Sequence, residues 1–285
     1  MTEPTAPSES LAERTPPPDD GHEVTLVAFD GSPTSVAALD WAADRCARLS
    51  ADTSALALLL VEGPRSGHFR AEERRDELLQ AAESRRAALP GTPVLTRTRT
   101  GQAEDVIADA AGAADVVVVG SGLQPHLMRR TLAERLWARG VPRTVVVPPV
   151  VVEGPVRVVV SSPLPCDATL AWAAFEARLR GVALEVVEVS EEGDHDRLGH
   201  RLELDGIERR ITALAPDQPV VARLLRGEPV ESWRQLSAEA GLVVLECDPH
   251  EPHRGERLRR GLLLAVLAPT ALLAPRAVPQ TSTAG

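Results

Sequence analysis

Three groups of residues carry atoms that could bind a ligand. Asp30-Gly31-Ser32-Pro33 and Gly120-Ser121-Gly122 each follow an apolar run. Glycine lets backbone N–H groups approach an anion closely, and a helix that starts after the turn adds positive partial charge. Cys247, His250 and His253 form the third group, because a thiolate and two imidazoles could hold zinc. The types of residue therefore indicate an anion site and a metal site.

Both interpretations have a simpler alternative. Gly120-Ser121-Gly122 could form an anion nest that Arg129 and Arg130 supplement, or it could be a plain strand-to-helix turn. The cysteine and its two histidines have no evident fourth ligand, so the segment could equally be a polar surface loop. The sequence leaves both choices open.

No residues are spaced for catalysis. Cys166 lies near a helix start, where the helix dipole favours a thiolate, but the neighbouring Asp167 opposes it. His195 and His200 fall in a charged segment that we predict to be a solvated helix. Because no nucleophile and base fall at neighbouring strand ends, we expect no enzyme.

Apolar runs and amphipathic segments alternate along the first half of the chain. This alternation predicts a parallel sheet with right-handed crossovers. The predicted strands are Val24–Phe29, Ala55–Val61, Pro93–Thr98, Asp115–Val119 and Thr144–Val147. The predicted helices are Val36–Leu49, Arg70–Leu89, Glu104–Ala111 and Thr131–Ala138.

The same order recurs in the second half. Trp41-Ala42-Ala43 returns 131 residues later as Trp172-Ala173-Ala174, which indicates an internal duplication. The predicted strands are Val156–Val160, Ala183–Val189, Val220–Leu225, Leu242–Cys247 and Ala271–Ala274. We therefore predict an α/β protein with two tandem open-sheet domains, each a mostly parallel five-stranded sheet with helices on both faces.

Composition shifts set the domain limits. Residues 1–22 and 276–285 are rich in Pro, Ser and Thr, and we predict disordered tails there. Pro148–Pro155 interrupts strand and helix alike, so we place one domain at residues 23–149 and a degenerate copy at 155–275.

Charge and composition exclude several classes of partner. The net charge is −10, and no basic patch suits a nucleic acid. The longest apolar run, Leu262–Pro275, is too short to span a membrane, and the N-terminus does not resemble a signal peptide. Three cysteines make no disulfide framework. We expect a cytoplasmic protein without nucleic-acid or membrane partners.

Three stretches carry a family resemblance. VAFDGSPTSVAALDWA at residues 27–42, the Gly101 turn that leads into a helix, and ADVVVVGS at residues 114–121 resemble the universal stress protein family. The similarity covers residues 23–149 and, more weakly, 155–275. It implies five-stranded sheets that pair through their last strands, and an ATP-binding loop of the form G-x2-G-x9-G-[ST] after the fourth strand.

The ATP-binding positions carry over only in part. By resemblance, Asp30 takes the adenosine-side position, Val61 the position after the second strand, and Gly120 the first loop glycine. The motif's spacing then reaches Leu123, Ala133 and Glu134, none of which fits. An alignment from the fifth strand instead puts Arg130 at the third glycine and Thr131 at the Ser/Thr position. The residual site would comprise Asp30, Val61, Gly120, Ser121, Gly122, Arg130 and Thr131.

The second half departs further from the motif. Ser161 stands in place of Asp30, and Glu246-Cys247-Asp248 replaces the Gly-Ser step. Because these carboxylates would repel a polyphosphate, we expect no ATP there.

These observations lead to three functional hypotheses. The first is a non-catalytic regulatory or stress-response protein that needs no cofactor and acts through protein partners. The second is a nucleotide-binding regulator that uses ATP in the first domain alone, with or without slow hydrolysis. The third is a redox or metal sensor built on Cys247, His250 and His253. We expect an intramolecular pseudo-dimer through Thr144–Val147 and Ala271–Ala274, and leave a further homodimer open.

Overall fold

Strands and helices alternate in the computed structural model, which describes residues 23–63, 68–122, 131–160, 164–190, 197–226, 229–246 and 268–274. The strands are β1 (Glu23–Ala28), β2 (Ser54–Glu62), β3 (Val94–Thr100), β4 (Val116–Gly120), β5 (Arg143–Val147), β6 (Val156–Val160), β7 (Leu184–Ser190), β8 (Val220–Arg226), β9 (Leu242–Glu246) and β10 (Thr270–Leu273). The α-helices are α1 (Pro33–Arg48), α2 (His68–Ala88), α3 (Ala103–Ala111), α4 (Leu132–Ala138), α5 (Asp167–Arg180), α6 (Arg197–Leu214) and α7 (Pro229–Ala238). The α/β class predicted from the sequence is confirmed.

The ten described strands form one continuous sheet rather than two separate ones. Their order is β3-β2-β1-β4-β5-β10-β9-β6-β7-β8, so the order of the first five strands is mirrored in the last five. Neighbouring strands run parallel except β5 and β10, which pair antiparallel from Arg143 with Leu273 to Val146 with Thr270. These are the two strands that the sequence analysis places at the junction.

The sheet carries an apolar layer on each face. One layer combines α1, α2, α5 and α6 with alternate strand residues, and the other includes residues of α3 and α4. Most of the buried side chains are Val, Leu and Ala, whose small size suits a sheet covered on both faces. No helix among the described residues is long and apolar enough to cross a membrane.

Helix α1 begins at Pro33, three residues before the predicted start at Val36. The Ser32 hydroxyl accepts a hydrogen bond from the Ser35 N–H, and Pro33 takes the first helical position. Trp41 and Cys46 on this helix are buried in the core, as is Trp172 on α5.

Helices α1 and α5 meet across the two halves through a buried ion pair. Arg45 Nε donates to Glu176 Oε1 over 2.7 Å, and both side chains have no exposed surface. Arg45 also contacts Glu23 at 2.6 Å. Arg180 bonds Glu176 and lies over the Trp41 ring, 4.9 Å from its centroid. The two halves are therefore joined by an ion pair that is fully shielded from water.

The second half carries charges where the first has apolar residues. Strand pairing makes Arg157 the counterpart of Leu26, and Glu185 the counterpart of Ala57. Arg157 Nε donates to Glu185 Oε2 over 2.7 Å, and both side chains are buried. Arg157 also donates to the carbonyl of Leu236 near the end of α7. The two halves thus share a strand order but differ in how their interiors are stabilised.

Candidate functional site

The candidate nucleotide residues of the first half lie at the carboxyl ends of neighbouring strands. Strands β1 and β4 are neighbours, and the helices that follow them, α1 and α4, pack on opposite faces of the sheet. The pairing of β1 with β2 ends at Ala28 and Leu59, yet β2 continues to Glu62. Val61 is therefore inside the strand, not after it, and projects beyond the end of β1. Open α/β sheets bind ligands at such a crevice.

Asp30 closes the turn between β1 and α1. Its Oδ1 accepts the Ser32 N–H over 3.0 Å, and its own N–H donates to Ser35 Oγ over 3.3 Å. Partial burial raises the pKa of Asp30, but the hydrogen bonds from Ser32 and Ser35 and the charge of Arg74 outweigh it, so the pKa lies below its ordinary value. The carboxylate is exposed and ionised, and one of its oxygens holds the turn.

Gly120 is required by packing. A Cβ atom added there would lie 2.6 Å from the carbonyl carbon of Thr34 and 2.7 Å from its oxygen, in the first turn of α1. The Ser121 N–H donates to the Val147 carbonyl over 2.8 Å, which continues the β4–β5 pairing by one residue. Gly122 follows with a φ of +55°, a conformation that favours glycine. The close approach of α1 explains Gly120 without any ligand.

The start of α4 supplies its own anion. Thr131 Oγ1 accepts the Glu134 N–H over 3.2 Å, and Glu134 Oε2 accepts the Thr131 N–H in return, which makes a capping box. By the alignment from the fifth strand, Thr131 is the position that would face phosphate. A carboxylate already lies there. Arg130, with Leu123 and Arg129, lies outside the described residues.

The second half has a similar arrangement. Glu246, at the end of β9, accepts the Cys166 N–H at the start of α5 through Oε2 over 2.8 Å. Strand pairing makes Glu246 the counterpart of Gly120. The carboxylate therefore lies where the positive end of α5 would otherwise attract an anion. Ser161, Cys247 and Asp248 lie outside the described residues.

The structure corrects the prediction for His200. The sequence analysis places it on a solvated helix face, but its Nδ1 hydrogen-bonds Glu188 Oε1 on β7 and the side chain is 17% exposed. Glu203, one turn further along α6, brings a second carboxylate to the same place. The signal in the sequence was the presence of two acidic residues, Glu185 and Glu188, in an otherwise apolar strand. His195, His250 and His253 lie outside what the structure describes.

A cavity of about 510 Å³ lies between α1, the connection from β5 to β6, and the end of α5. Trp41, Arg48, Glu153 and Arg180 are among its lining residues. Of the candidate nucleotide residues that the structure describes, none lines this cavity, so it is separate from the crevice at the strand ends.

The fold defines the class of the protein: a doubly wound, open-sheet α/β protein with a crevice at the strand ends of its first half. Residues 23–137 match the model of the universal stress protein family. This part of the chain therefore forms a domain of the universal stress protein family.

Solved structures extend the fold comparison to nearly the whole chain. A universal stress protein from Archaeoglobus fulgidus is 15% identical to this chain and superposes with a TM-score of 0.65. The alignment covers 88% of this chain and 96% of the Archaeoglobus fulgidus protein. A functionally unknown protein from Pseudomonas aeruginosa is 14% identical, with 89% and 93% coverage and a TM-score of 0.60. No curated protein shows significant sequence similarity to the chain. At these identities the comparison establishes the fold alone.

Proposed function

We propose that this protein is a non-catalytic, regulatory member of the universal stress protein family that acts through protein partners without ATP. The observation that carries the proposal is the capping box at α4. The Glu134 carboxylate accepts the Thr131 N–H at the helix start that would face the phosphates. A polyphosphate would have to displace this carboxylate and overcome its charge.

The second half supports the same conclusion. Glu246 Oε2 accepts the Cys166 N–H at the start of α5. Because Glu246 is part of β9, its carboxylate is held beside this helix start and loses no translational entropy when it binds there. A free nucleotide would compete with it at an entropic disadvantage. Both candidate phosphate positions thus carry carboxylates of the chain itself.

Thermal unfolding with and without Mg-ATP tests the proposal. A ligand at a hundred times its Kd stabilises the folded state by about 2.7 kcal/mol, which is a shift of several degrees. We expect no shift with ATP, ADP or AMP. A nucleotide-dependent rise in Tm that the Asp30→Ala variant abolishes would overturn the proposal.

A matched variant asks whether Glu134 excludes the nucleotide. Glu134→Gln removes the negative charge and keeps the size and hydrogen-bonding capacity of the side chain. Glu104→Gln, on α3, is a control for loss of a carboxylate elsewhere on the same face. Under the proposal, any gain in ATP affinity appears with Glu134→Gln and not with Glu104→Gln.

The second candidate function is a nucleotide-binding regulator that uses the first half alone. One observation favours it: the Asp30 carboxylate is ionised and exposed beside the crevice where β2 projects beyond β1. The same thermal experiment decides between the two, because only this candidate predicts that ATP raises the Tm. The sensor hypothesis for Cys247, His250 and His253 falls outside the described residues.

We further propose a cytoplasmic location. Cys46 and Cys166 are both free thiols, Cys46 buried and Cys166 partly exposed, which suits a reducing compartment. Fractionation of cells that express the tagged full chain would test the location.

A further inference from the structure

Glu188 places a carboxyl group where the first half of the chain has an apolar side chain. Leu56 pairs with Thr25 on β1, and Leu184 pairs with Val156 on β6, so Glu188 is the counterpart of Leu60 four residues further on. Leu60 is fully buried against the α2 layer, and Glu188 is only 7% exposed. A carboxylate is costly at such a position unless something in its surroundings compensates its charge.

Two side chains on α6 meet this carboxylate. His200 and Glu203 are three residues apart on the helix, a spacing that puts them on one face. One ligand atom from each of Glu188, His200 and Glu203 lies within 4.8 Å of the others. Ligand atoms bound about 2.0–2.2 Å from a common metal ion are separated by no more than about twice that distance. The three side chains can therefore converge on one ion after small rotations.

The donor set selects the kind of ion. An imidazole nitrogen with two carboxylate oxygens suits Zn²⁺ and the neighbouring divalent transition metals, whereas Mg²⁺ and Ca²⁺ prefer oxygen alone. Two carboxylates also match the charge of a divalent cation. Glu188 and His200 are largely buried while Glu203 is exposed, so an ion there would have protein on one side and water on the other.

We propose that Glu188, His200 and Glu203 form a binding site for a divalent transition metal ion such as Zn²⁺, with a coordination position left to water. On binding, His200 Nδ1 gives up the proton that it shares with Glu188, the imidazole is left protonated at Nε2 alone, and the Nδ1 lone pair binds the metal. The ion would then link β7 to the first turns of α6. This site is separate from the crevice at the strand ends of the first half, and it does not depend on the proposed function.

Isothermal titration with ZnCl₂ tests the proposal on the full chain. Because Cys247, His250 and His253 could also bind zinc, the titration uses a background carrying Cys247→Ser, His250→Gln and His253→Gln. We expect one Zn²⁺ per chain in that background and no comparable binding of Mg²⁺. Co²⁺ substitution should give visible absorption bands of a nitrogen- and oxygen-liganded ion.

Two variants identify the ligands. Glu203→Gln changes an exposed side chain and should fold normally, and we expect it to weaken Zn²⁺ binding by about tenfold or more. His200→Gln should do the same and should alter the Co²⁺ spectrum. Glu208→Gln, on the same helix outside the cluster, is the matched control and should leave both unchanged. Absence of stoichiometric Zn²⁺ binding in the background chain, or undiminished binding by Glu203→Gln, would overturn the proposal.

Discussion

Gly120 shows how one residue can be required by packing at a position that a ligand motif would also reserve for glycine. The end of β4 and the first turn of α1 approach so closely that a Cβ atom would overlap the backbone of Thr34. Backbone cannot rotate aside as a flexible side chain can. A glycine here is therefore no evidence for a nucleotide, although the resemblance assigns it to the phosphate loop.

Replacing Gly120 should test this directly. We expect Gly120→Ala to lower the free energy of unfolding by about 1–3 kcal/mol, because the new methyl group forces α1 and β4 apart. Urea denaturation measures the change. Gly206→Ala is the control: nothing lies within 4 Å of its added Cβ in the middle of α6, so it should stabilise the protein by about 0.5–1 kcal/mol. Equal stability of Gly120→Ala and the wild type would show that the helix can move away freely.

The low pKa of Asp30 has a consequence for stability in acid. Because the folded pKa is depressed, the ionised group stabilises the folded state above the unfolded pKa, and this contribution is lost as the pH falls through the folded pKa. We expect Asp30→Asn to be less stable than the wild type at neutral pH, with the difference shrinking below about pH 4. Urea midpoints between pH 2.5 and pH 7 measure it. A difference that does not vary with pH would contradict the assignment.

At the scale of helices, the contact of α1 with α5 depends on an unlike pair at equivalent positions. Arg45 and Glu176 are 131 residues apart, the same interval that separates Trp41 from Trp172. Burial lowers the pKa of Arg45, but the charges of Glu176 and Glu23 outweigh it and raise the pKa above its ordinary value, so the guanidinium stays charged. Two identical residues here would place like charges together. The opposite charges of Arg45 and Glu176 therefore make the contacting surfaces of α1 and α5 complementary.

Breaking this pair should be costly, and replacing both partners should be much less so. We expect Glu176→Ala to destabilise the chain by about 3–5 kcal/mol, because Arg45 then lies buried beside Glu23 alone. The double variant Arg45→Met with Glu176→Leu should recover most of that loss, since apolar side chains need no counter-charge. Chemical denaturation of both singles and the double gives the coupling energy.

An exposed ion pair on the same helix is the control for this cycle. Arg48 Nε bonds Asp44 over 2.9 Å, and both side chains are more than a third exposed. Asp44→Ala should therefore cost less than about 1 kcal/mol. If Glu176→Ala cost no more than Asp44→Ala, the buried pair would not be what holds α1 against α5.

For the whole molecule, the elements could be predicted from the sequence and the contacts between distant side chains could not. The strands are local apolar runs, and Ser32-Pro33 is a local helix start, so short windows of sequence contain the information. The pairing of Arg45 with Glu176, and of Glu188 with His200, depends on how helices settle on the sheet. From a short window of sequence, a charged residue in the middle of a helix or strand is predicted to face solvent, because its partner lies far away along the chain. The same limit applies to Glu134 and Glu246, whose roles as helix-start anions appear only once the strand ends are side by side.

The continuous sheet should make the two halves unfold together. Strands β5 and β10 pair antiparallel in one sheet, and the buried Arg45 of the first half pairs with the buried Glu176 of the second. We therefore expect Ile207→Ala, a truncation of a buried side chain on α6, to destabilise the second half by about 2–5 kcal/mol. The free energy of opening measured by hydrogen exchange should fall by a similar amount for the slowest amides in β1 and β4. Native-state hydrogen exchange with mass spectrometry resolves the strands of each half. Leu198→Ala, at an exposed position of α6, should change neither half by more than about 0.5 kcal/mol. Unaltered protection of β1 and β4 in Ile207→Ala would mean that the first half keeps its fold while the second opens, and that β5 and β10 join two independent units.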